Sequence, residues 1–187
     1  MKIIKTNDES TEPIVSLILL DWSVRERFHA LDWLLNQSVS RDKYEIIWIE
    51  LFDRVLPEVS EKVDVHICCN QQGLYHKHLA YNIGLLQARG KLITICDSDA
   101  VFPYEFIQSI LNNYFSVNEE VDNSSLNPIP LVLMHHEWRT HHLYPDRLTG
   151  LFDLNKFKWL DLWPNAGACM TVRRADSLRF GGFDEHK

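Results

Sequence analysis

The stretch at residues 92–99, Leu-Ile-Thr-Ile-Cys-Asp-Ser-Asp, constrains the fold of this chain more than any other segment. Its apolar, partly β-branched first half predicts a buried strand, which ends abruptly in two carboxylates, Asp97 and Asp99. Open α/β sheets bind ligands at the carboxyl ends of their parallel strands, and paired carboxylates suit a hard divalent cation. The alternative for Asp99 is a helix cap in a polar loop that follows a core strand.

Apolar runs and helix-like patterns alternate along residues 14–115. Four short apolar runs predict strands, at residues 14–20, 44–51, 63–69 and 92–97. Three predicted helices follow them, namely residues 25–36, 75–88 and 103–115. This alternation implies an α/β sheet that is largely parallel, with right-handed crossovers. Residues 52–61 and 118–130 are polar and contain proline, so we predict loops there, and residues 131–134 predict a further strand.

The composition argues against two classes of partner. The 187 residues carry a formal net charge of −7 and no dense run of Lys or Arg, which disfavours nucleic acid. No apolar stretch approaches the ~20 residues of a membrane helix, and the first ten residues lack the apolar core of a signal peptide. The four cysteines contain no C-x-x-C pair, so we expect reduced thiols and a cytoplasmic location.

Two blocks of the sequence carry longer motifs. The first, residues 82–99, has the pattern N-x-G-x-x-x-A-x-G, then the apolar strand, then D-x-D. The second, residues 165–185, ends in Gly-Gly-Phe-Asp-Glu. Together they resemble the family 2-like glycosyltransferases, and the resemblance extends from about Val15 to the last residue. It implies an α/β chain with the GT-A fold, a Rossmann-like fold of nucleotide-diphospho-sugar transferases whose central sheet is mostly parallel and flanked by helices.

The resemblance also implies a domain organisation. We expect one glycosyltransferase domain over residues 1–187, with a nucleotide-sugar-binding half at residues 13–115 and an acceptor-side half at residues 131–187. Related enzymes continue beyond the Gly-Gly-Phe-Asp-Glu segment with another helix and often an acidic pair. We therefore expect the chain to be a C-terminally truncated fragment with an incomplete acceptor side.

Three side chains are expected to bind the metal and the nucleotide by this resemblance. Asp99 would coordinate a divalent cation, Mn²⁺ or Mg²⁺, that bridges the two phosphates, while Asp97 would lie near the donor ribose or reach the metal through water. Glu50 stands where relatives have an aspartate beside the nucleobase. The neighbouring motif departs from the family, because Leu20 replaces its proline and Ser23 its asparagine. The alternative for Glu50 is an exposed carboxylate at a strand end.

Asn82 and Arg89 lie on the predicted helix that precedes the aspartates. Their spacing is close to two helical turns, so we expect both on one face. In the family this face looks toward the donor, which makes both residues candidates for binding the sugar or the phosphates. The alternative for Asn82 is an amide on the helix surface.

Asp184 is the candidate catalytic base, because inverting transfer needs a carboxylate across the anomeric carbon from the leaving group. Many relatives take this base from the acidic pair further on, and that alternative stays open. The four histidines at residues 135–142 suggest a zinc site only weakly, because their spacing is irregular and no cysteine is near. A loop that contacts the acceptor and a plain surface loop are the other interpretations.

These features together predict a metal-dependent glycosyltransferase. The donor would be a UDP- or GDP-linked sugar, the acceptor a carbohydrate or another hydroxyl compound, and the transfer inverting. Two alternatives remain: a nucleotidyltransferase, and a non-catalytic domain of the same fold that binds a nucleotide sugar or carbohydrate. A nucleotidyltransferase usually has a Gly-rich, basic loop after its first strand, whereas residues 21–25 contain no glycine.

Overall fold

The computed structural model describes residues 1–6, 12–73, 75–115, 132–135, 138–140, 159–161 and 169–184. The strands found in these residues are, in chain order, β1 (Lys2–Lys5), β2 (Val15–Asp21), β3 (Tyr44–Glu50), β4 (Val65–Cys68), β5 (Leu92–Asp97), β6 (Val132–Met134), β7 (Trp138–Thr140), β8 (Trp159–Asp161) and β9 (Cys169–Arg173). The α-helices are α1 (His29–Leu35), α2 (Pro57–Lys62), α3 (Lys77–Gln87), α4 (Phe106–Tyr114) and α5 (Arg174–Arg179). A short 3₁₀ turn, Arg41–Lys43, leads into β3.

Seven strands form one mixed sheet in the order β1-β4-β3-β2-β5-β9-β6. The central strands β4, β3, β2 and β5 are parallel, whereas β1, β9 and β6 pair antiparallel with their neighbours. A separate antiparallel pair joins β7 to β8. This architecture confirms the predicted α/β class with a sheet that is mostly parallel at its centre.

The sheet is buried on both faces, which explains why its central strands have no polar alternation. Every residue of β2 and β3 is buried. On one face Leu17 and Leu19 pack in a core that includes residues of α1 and α4, and on the other face Ile18 and Leu20 pack in a core that includes residues of α3. The helices therefore cover both sides of the strand that forms the middle of the sheet.

Every predicted strand and helix has a counterpart in the structure, which also contains elements that the sequence analysis did not predict. The five predicted strands correspond to β2 to β6, and the three predicted helices to α1, α3 and α4, with shifted ends. The loop predicted at residues 52–61 is wrong in part, because α2 begins at Pro57, a residue suited to the first turn of a helix. The strands β1, β7, β8 and β9 and the helix α5 have no counterpart in the prediction. In β1, Lys5 Nζ donates to the carbonyls of Ser60 (2.9 Å) and Val63 (2.5 Å).

Other predictions cannot be compared with the structure. The loop at residues 118–130 lies outside the described residues. The division into two halves, at residues 13–115 and 131–187, stays a prediction.

Among the described residues, no helix is long and apolar enough to cross a membrane. All four cysteines are free thiols, as expected.

A buried polar cluster closes the amino edge of the parallel strands. Ser16 Oγ donates to Glu45 Oε1 (2.5 Å), and Gly90 N donates to Ser16 Oγ (2.8 Å). Arg89 N donates to the same Glu45 oxygen (2.7 Å), and Arg89 Nε lies 3.5 Å from Oε2. Partners of this kind are needed because a buried carboxylate without them is costly. The cluster fixes the path of the chain from α3 into β5.

Gly90 is expected to tolerate no side chain at this point. A Cβ at position 90 would lie 2.7 Å from Ser16 N and 2.8 Å from the carbonyl carbon of Val15. Overpacking of this kind costs about 1–3 kcal/mol. We expect Gly90→Ala to lower the free energy of unfolding by about that amount in urea denaturation. Adding Ser16→Ala should not restore the lost stability, since the backbone atoms of Val15 and Ser16 still collide with the new Cβ. A loss below about 0.5 kcal/mol, typical of neutral surface changes, would contradict the prediction.

Candidate active site

The sheet has a topological switch point between β2 and β5. From β2 the chain runs outward through β3 to β4, and it then returns to place β5 on the other side of β2. The pairing register sets Leu20 opposite Asp97 and Asp21 opposite Glu50. Ligands of open α/β sheets bind outside the carboxyl ends of the strands at such a point. The topology therefore gathers three carboxylates at the edge where a ligand is expected.

The first of these carboxylates, Asp21, is used by the fold itself. It is buried, and Arg54 Nη2 lies 2.7 Å from its Oδ2. Its Oδ1 accepts hydrogen bonds from the backbone N–H groups of Trp22 (2.9 Å) and Arg25 (3.4 Å). Asp21 thus orders the loop after β2, and α1 begins only at His29 rather than at residue 25 as predicted.

Glu50 is buried at the end of β3, so the alternative of an exposed carboxylate is wrong. Its Oε1 accepts from Ser23 Oγ (2.8 Å) and Phe52 N (2.9 Å), and its Oε2 accepts from Ser23 N (3.3 Å). Ser23 has a φ of +62°, a left-handed conformation that costs free energy in a residue with a side chain. Burial raises the pKa of Glu50 above its usual range, although these hydrogen bonds oppose the shift.

Asp97 and Asp99 remain open to solvent, with side chains 37% and 33% exposed. Lys77 Nζ lies 3.3 Å from Asp97 Oδ1, and Arg25 Nη2 lies 2.9 Å from Asp99 Oδ2. Asp99 does not cap a helix, because α4 begins at Phe106. The capping alternative is therefore wrong, and the two carboxylates stand at the edge of the sheet with one cation each.

Aromatic rings surround these ion pairs. The guanidinium of Arg25 lies 5.3 Å from the centre of the Trp22 ring, and that ring lies 4.5 Å from the ring of Tyr75. Lys77 Nζ lies 5.5 Å from the centre of the Tyr81 ring. Burial, reinforced by the Asp97 carboxylate, raises the pKa of Tyr75 to about 12. The Tyr75 phenol is thus neutral near pH 7.

Sequence reasoning did not identify Trp22, Arg25, Tyr75 or Lys77 as residues of the site. A weak signal was present for one pair, since Lys77 and Tyr81 are four residues apart on α3 and so face each other along the helix. The other contacts join the β2–α1 loop to residues far along the chain, and spacing gives no information about them.

Asn82 connects α3 to the Gly-Gly-Phe-Asp segment. Its Nδ2 donates to the carbonyl of Phe183 (2.8 Å), and its Oδ1 accepts from Phe183 N (2.8 Å). Gly182 has a φ of +77°, and a Cβ there would collide with the Asn82 amide. The Phe183 ring lies 5.5 Å from that of Tyr81. Asn82 is therefore an anchor between two elements rather than a surface amide, and Asp184 follows the anchored residue with its side chain exposed.

Arg89 does not join the other predicted residues. The prediction that it shares a helix face with Asn82 is wrong, because α3 ends at Gln87 and Ala88 is already extended. Arg89 lies instead at the amino edge of the sheet, where its guanidinium approaches Glu45. The structure thus brings Asp97, Asp99 and Glu50 to one edge and leaves Arg89 at the other.

Asp97 and Asp99 form an incomplete ligand set for a metal. Among the described residues, no group of three or more His, Cys, Asp or Glu side chains could enclose an ion. Two carboxylates on an open edge fit a cation such as Mg²⁺, which keeps water and takes oxygen ligands from substrate phosphates. The donor set therefore fits a cation that binds together with a phosphorylated ligand.

The weakly suggested zinc cluster is described only in part. Among its histidines, His136, His141 and His142 lie outside the described residues. His135 Nε2 lies 2.7 Å from Thr171 Oγ1, and burial lowers the pKa of His135 to about 4. His135 is therefore neutral near pH 7 and hydrogen-bonded to the sheet.

Comparisons with known proteins give a family and a fold. The sequence profile described as "Glycosyl transferase family 2" matches residues 29–180. Among solved structures, the chain is similar to the mannosyltransferase PcManGT from Pyrobaculum calidifontis in complex with GDP-Man and Mn²⁺, with a TM-score of 0.57 and 15% identity. That match covers 100% of this chain and 52% of PcManGT, so the chain spans about half the length of that protein. The likeness confirms the predicted GT-A fold.

A second solved structure matches less of the chain. Residues 1–349 of S. aureus TarS are 18% identical to it, with a TM-score of 0.45, over 51% of this chain and 30% of that one. No curated protein sequence matches the chain.

The raised pKa of Glu50 gives a pH-dependent stability. A carboxyl whose pKa is raised in the folded state binds more protons when folded, so stability falls as pH rises from the unfolded pKa, near 4.5, to the folded pKa. We expect the difference in unfolding free energy, wild type minus Glu50→Gln, to decrease over this range. The decrease is about 1.4 kcal/mol for each tenfold gain in proton affinity on folding. Denaturant titrations between pH 4 and 7 measure it; a difference that rises with pH would contradict the assignment.

Proposed function

The chain belongs to glycosyl transferase family 2, and we propose that it transfers a sugar from a nucleoside-diphosphate sugar to a hydroxyl acceptor with the help of a divalent cation. One observation carries the proposal: Asp97 and Asp99 lie partly exposed at the carboxyl edge, where the strand order reverses between β2 and β5. Family membership makes a nucleotidyltransferase the weaker alternative. The cytoplasmic location stays a prediction.

Asp97 and Asp99 would hold the cation, Mn²⁺ or Mg²⁺. When bound, such a cation offsets the charge that develops on the leaving diphosphate. The chain carries a net charge of −7, so a phosphorylated donor needs local positive charge at this edge. The presence of GDP-Man and Mn²⁺ in the PcManGT structure supports a nucleotide diphosphate and manganese as the first ligands to test.

The loop after β2 would take the nucleoside. Glu50 holds Ser23 in its left-handed turn, and Trp22 precedes that turn with its ring against Tyr75. An aromatic ring beside a polar group is a common arrangement for a nucleobase, since the ring stacks and the polar group reads the base edge. Glu50 Oε2 accepts one hydrogen bond here and keeps capacity for a base N–H.

Asp184 is the proposed base for the acceptor. In this step the acceptor oxygen bonds to the anomeric carbon, its proton passes to the Asp184 carboxylate, and the bond to the diphosphate oxygen breaks on the opposite face. The configuration at the anomeric carbon is thereby inverted. Asn82 is a positioning residue, because its two hydrogen bonds to Phe183 hold the residue that precedes Asp184.

Nucleotide binding should depend on the cation. We expect GDP or UDP to bind at least about tenfold more tightly with Mn²⁺ than with EDTA, the loss of a charge-assisted contact being of that order. Asp99→Ala should abolish this difference without lowering the thermal unfolding midpoint, because Asp99 packs little apolar area. Calorimetric titration measures the binding, and a thermal melt measures the midpoint. Asp42→Ala, at an exposed carboxylate before β3, is the control and should bind like wild type; equal affinity with and without metal would refute the cation's role.

Asp184→Asn should separate turnover from binding. If Asp184 is the base, the variant loses roughly 10²–10⁴-fold in turnover, while its affinity for nucleoside diphosphate is unchanged. Sugar release from the donor and transfer to added acceptors are measured for the chain and for any longer form of the protein. A variant that turns over as fast as wild type places the base elsewhere. Tight donor binding with no turnover in every form favours the non-catalytic alternative.

A further inference from the structure

Both carboxylates of the proposed cation site already have a positive partner from the chain. Arg25 Nη2 lies 2.9 Å from Asp99 Oδ2, and Lys77 Nζ lies 3.3 Å from Asp97 Oδ1. The two cations come from different elements, since Arg25 is in the loop after β2 and Lys77 is the first residue of α3. A divalent cation that binds these aspartates must therefore displace or move a guanidinium and an ammonium group.

These two ion pairs differ from the structural ion pair beside them. The Asp21 side chain is only 1% exposed, whereas those of Asp99 and Asp97 are 33% and 37% exposed; the cationic partners are similarly exposed in all three pairs. Partial exposure keeps an ion pair weak and easily exchanged. Breaking either of the exposed ion pairs therefore costs less free energy than breaking the buried Asp21–Arg54 pair.

Each of the two cationic side chains also contacts an aromatic ring. Arg25 lies over the ring of Trp22 and Lys77 over the ring of Tyr81, at 5.3 Å and 5.5 Å from the ring centres. A cation over an aromatic face keeps a favourable contact when its carboxylate is taken away. In addition, Arg25 Nε is buried and has no acceptor among the described residues. Arg25 therefore retains a hydrogen-bond donor for a new ligand.

The charges at this edge favour an exchange. Two carboxylates and two cations cancel, so these two ion pairs together carry no net charge before ligands bind. A divalent cation on the aspartates leaves an excess of two positive charges, which matches a diphosphate. The diphosphate oxygens also give Arg25 and Lys77 new charge-assisted hydrogen bonds in place of those they lose.

We propose that Arg25 and Lys77 are exchangeable counterions, which neutralise Asp99 and Asp97 in the empty site and move to the diphosphate when nucleotide and cation bind together. The inference rests on the proposed function of this site. It implies that the chain binds the cation weakly alone, because Arg25 and Lys77 compete for the carboxylates. It also implies that nucleotide and cation strengthen each other's binding by the same factor.

Lys77→Met tests the exchange, because methionine keeps most of the length of the side chain without its charge. We expect the variant to bind Mn²⁺ alone about threefold or more tightly than wild type, since one competing charge is gone. We expect it to bind GDP or UDP, at saturating Mn²⁺, about tenfold or more weakly, since a charged hydrogen bond to phosphate is lost. Electron paramagnetic resonance of free Mn²⁺ measures the first constant, and calorimetry the second. Lys77→Arg should restore both in part.

The control is Lys62→Met, which breaks the Lys62–Asp32 ion pair at similar exposure away from the site. It should leave both constants unchanged. Arg25→Gln is a second test variant with the same expected pair of changes, in case Lys77→Met unfolds. Circular dichroism melting checks that each variant is folded.

Opposite changes in the two constants support the exchange. If both affinities fall, Lys77 only supports the structure of the site. If neither affinity changes, Lys77 takes no part in binding. Either result overturns the inference but leaves the proposed function intact, provided that wild type binds nucleotide with Mn²⁺. If wild type binds neither Mn²⁺ nor nucleoside diphosphate, the proposed function fails, and the inference fails with it.

Discussion

The whole site depends on the backbone pairing between β2 and β5. These two strands are adjacent although β3 and β4 separate them in sequence, and their parallel register sets Leu20 opposite Asp97. Both strands are buried, so a slip by one residue would move every side chain to the other face of the sheet and break both cores. The packing of apolar residues therefore fixes where the carboxylates stand, without contribution from the carboxylates themselves.

Burial separates the carboxylates that stabilise the fold from those that are open to a cation. Glu45, at the amino edge, and Asp21 and Glu50, at the carboxyl edge, are almost fully buried and hydrogen-bonded within the chain. Removing a partner from such a group leaves an unsatisfied polar group, so each of the three has a structural role, and Glu50 can take a nucleobase only in addition to that role. Asp97 and Asp99 are themselves partly exposed, so the cations beside them can be exchanged. The same residue type thus serves two purposes at neighbouring strand ends.

The sequence predicted the sheet and the aspartates because both depend on local pattern. A long apolar run that ends in Asp97 and Asp99 has few interpretations, and the alternation of elements limits the topology. The role of Arg89 failed for a physical reason: a helical spacing argument cannot detect that α3 ends before residue 89, and the buried Glu45 then holds Arg89 at the far edge. The partners of the aspartates were also missed, since an ion pair such as Arg25–Asp99 joins residues that only the tertiary fold brings together.

The helix α3 links the two motif blocks that the sequence shows separately. Its first residue, Lys77, pairs with Asp97, and one turn later Tyr81 and Asn82 contact Phe183. Two neutral hydrogen bonds and one ring contact contribute about 2–4 kcal/mol in total. Ordering three or four residues of a glycine-containing turn costs about 3–8 kcal/mol in backbone entropy. The contacts on α3 therefore align the segment before Asp184 without locking it, so the position of that carboxylate depends on what else packs against the segment, including an acceptor.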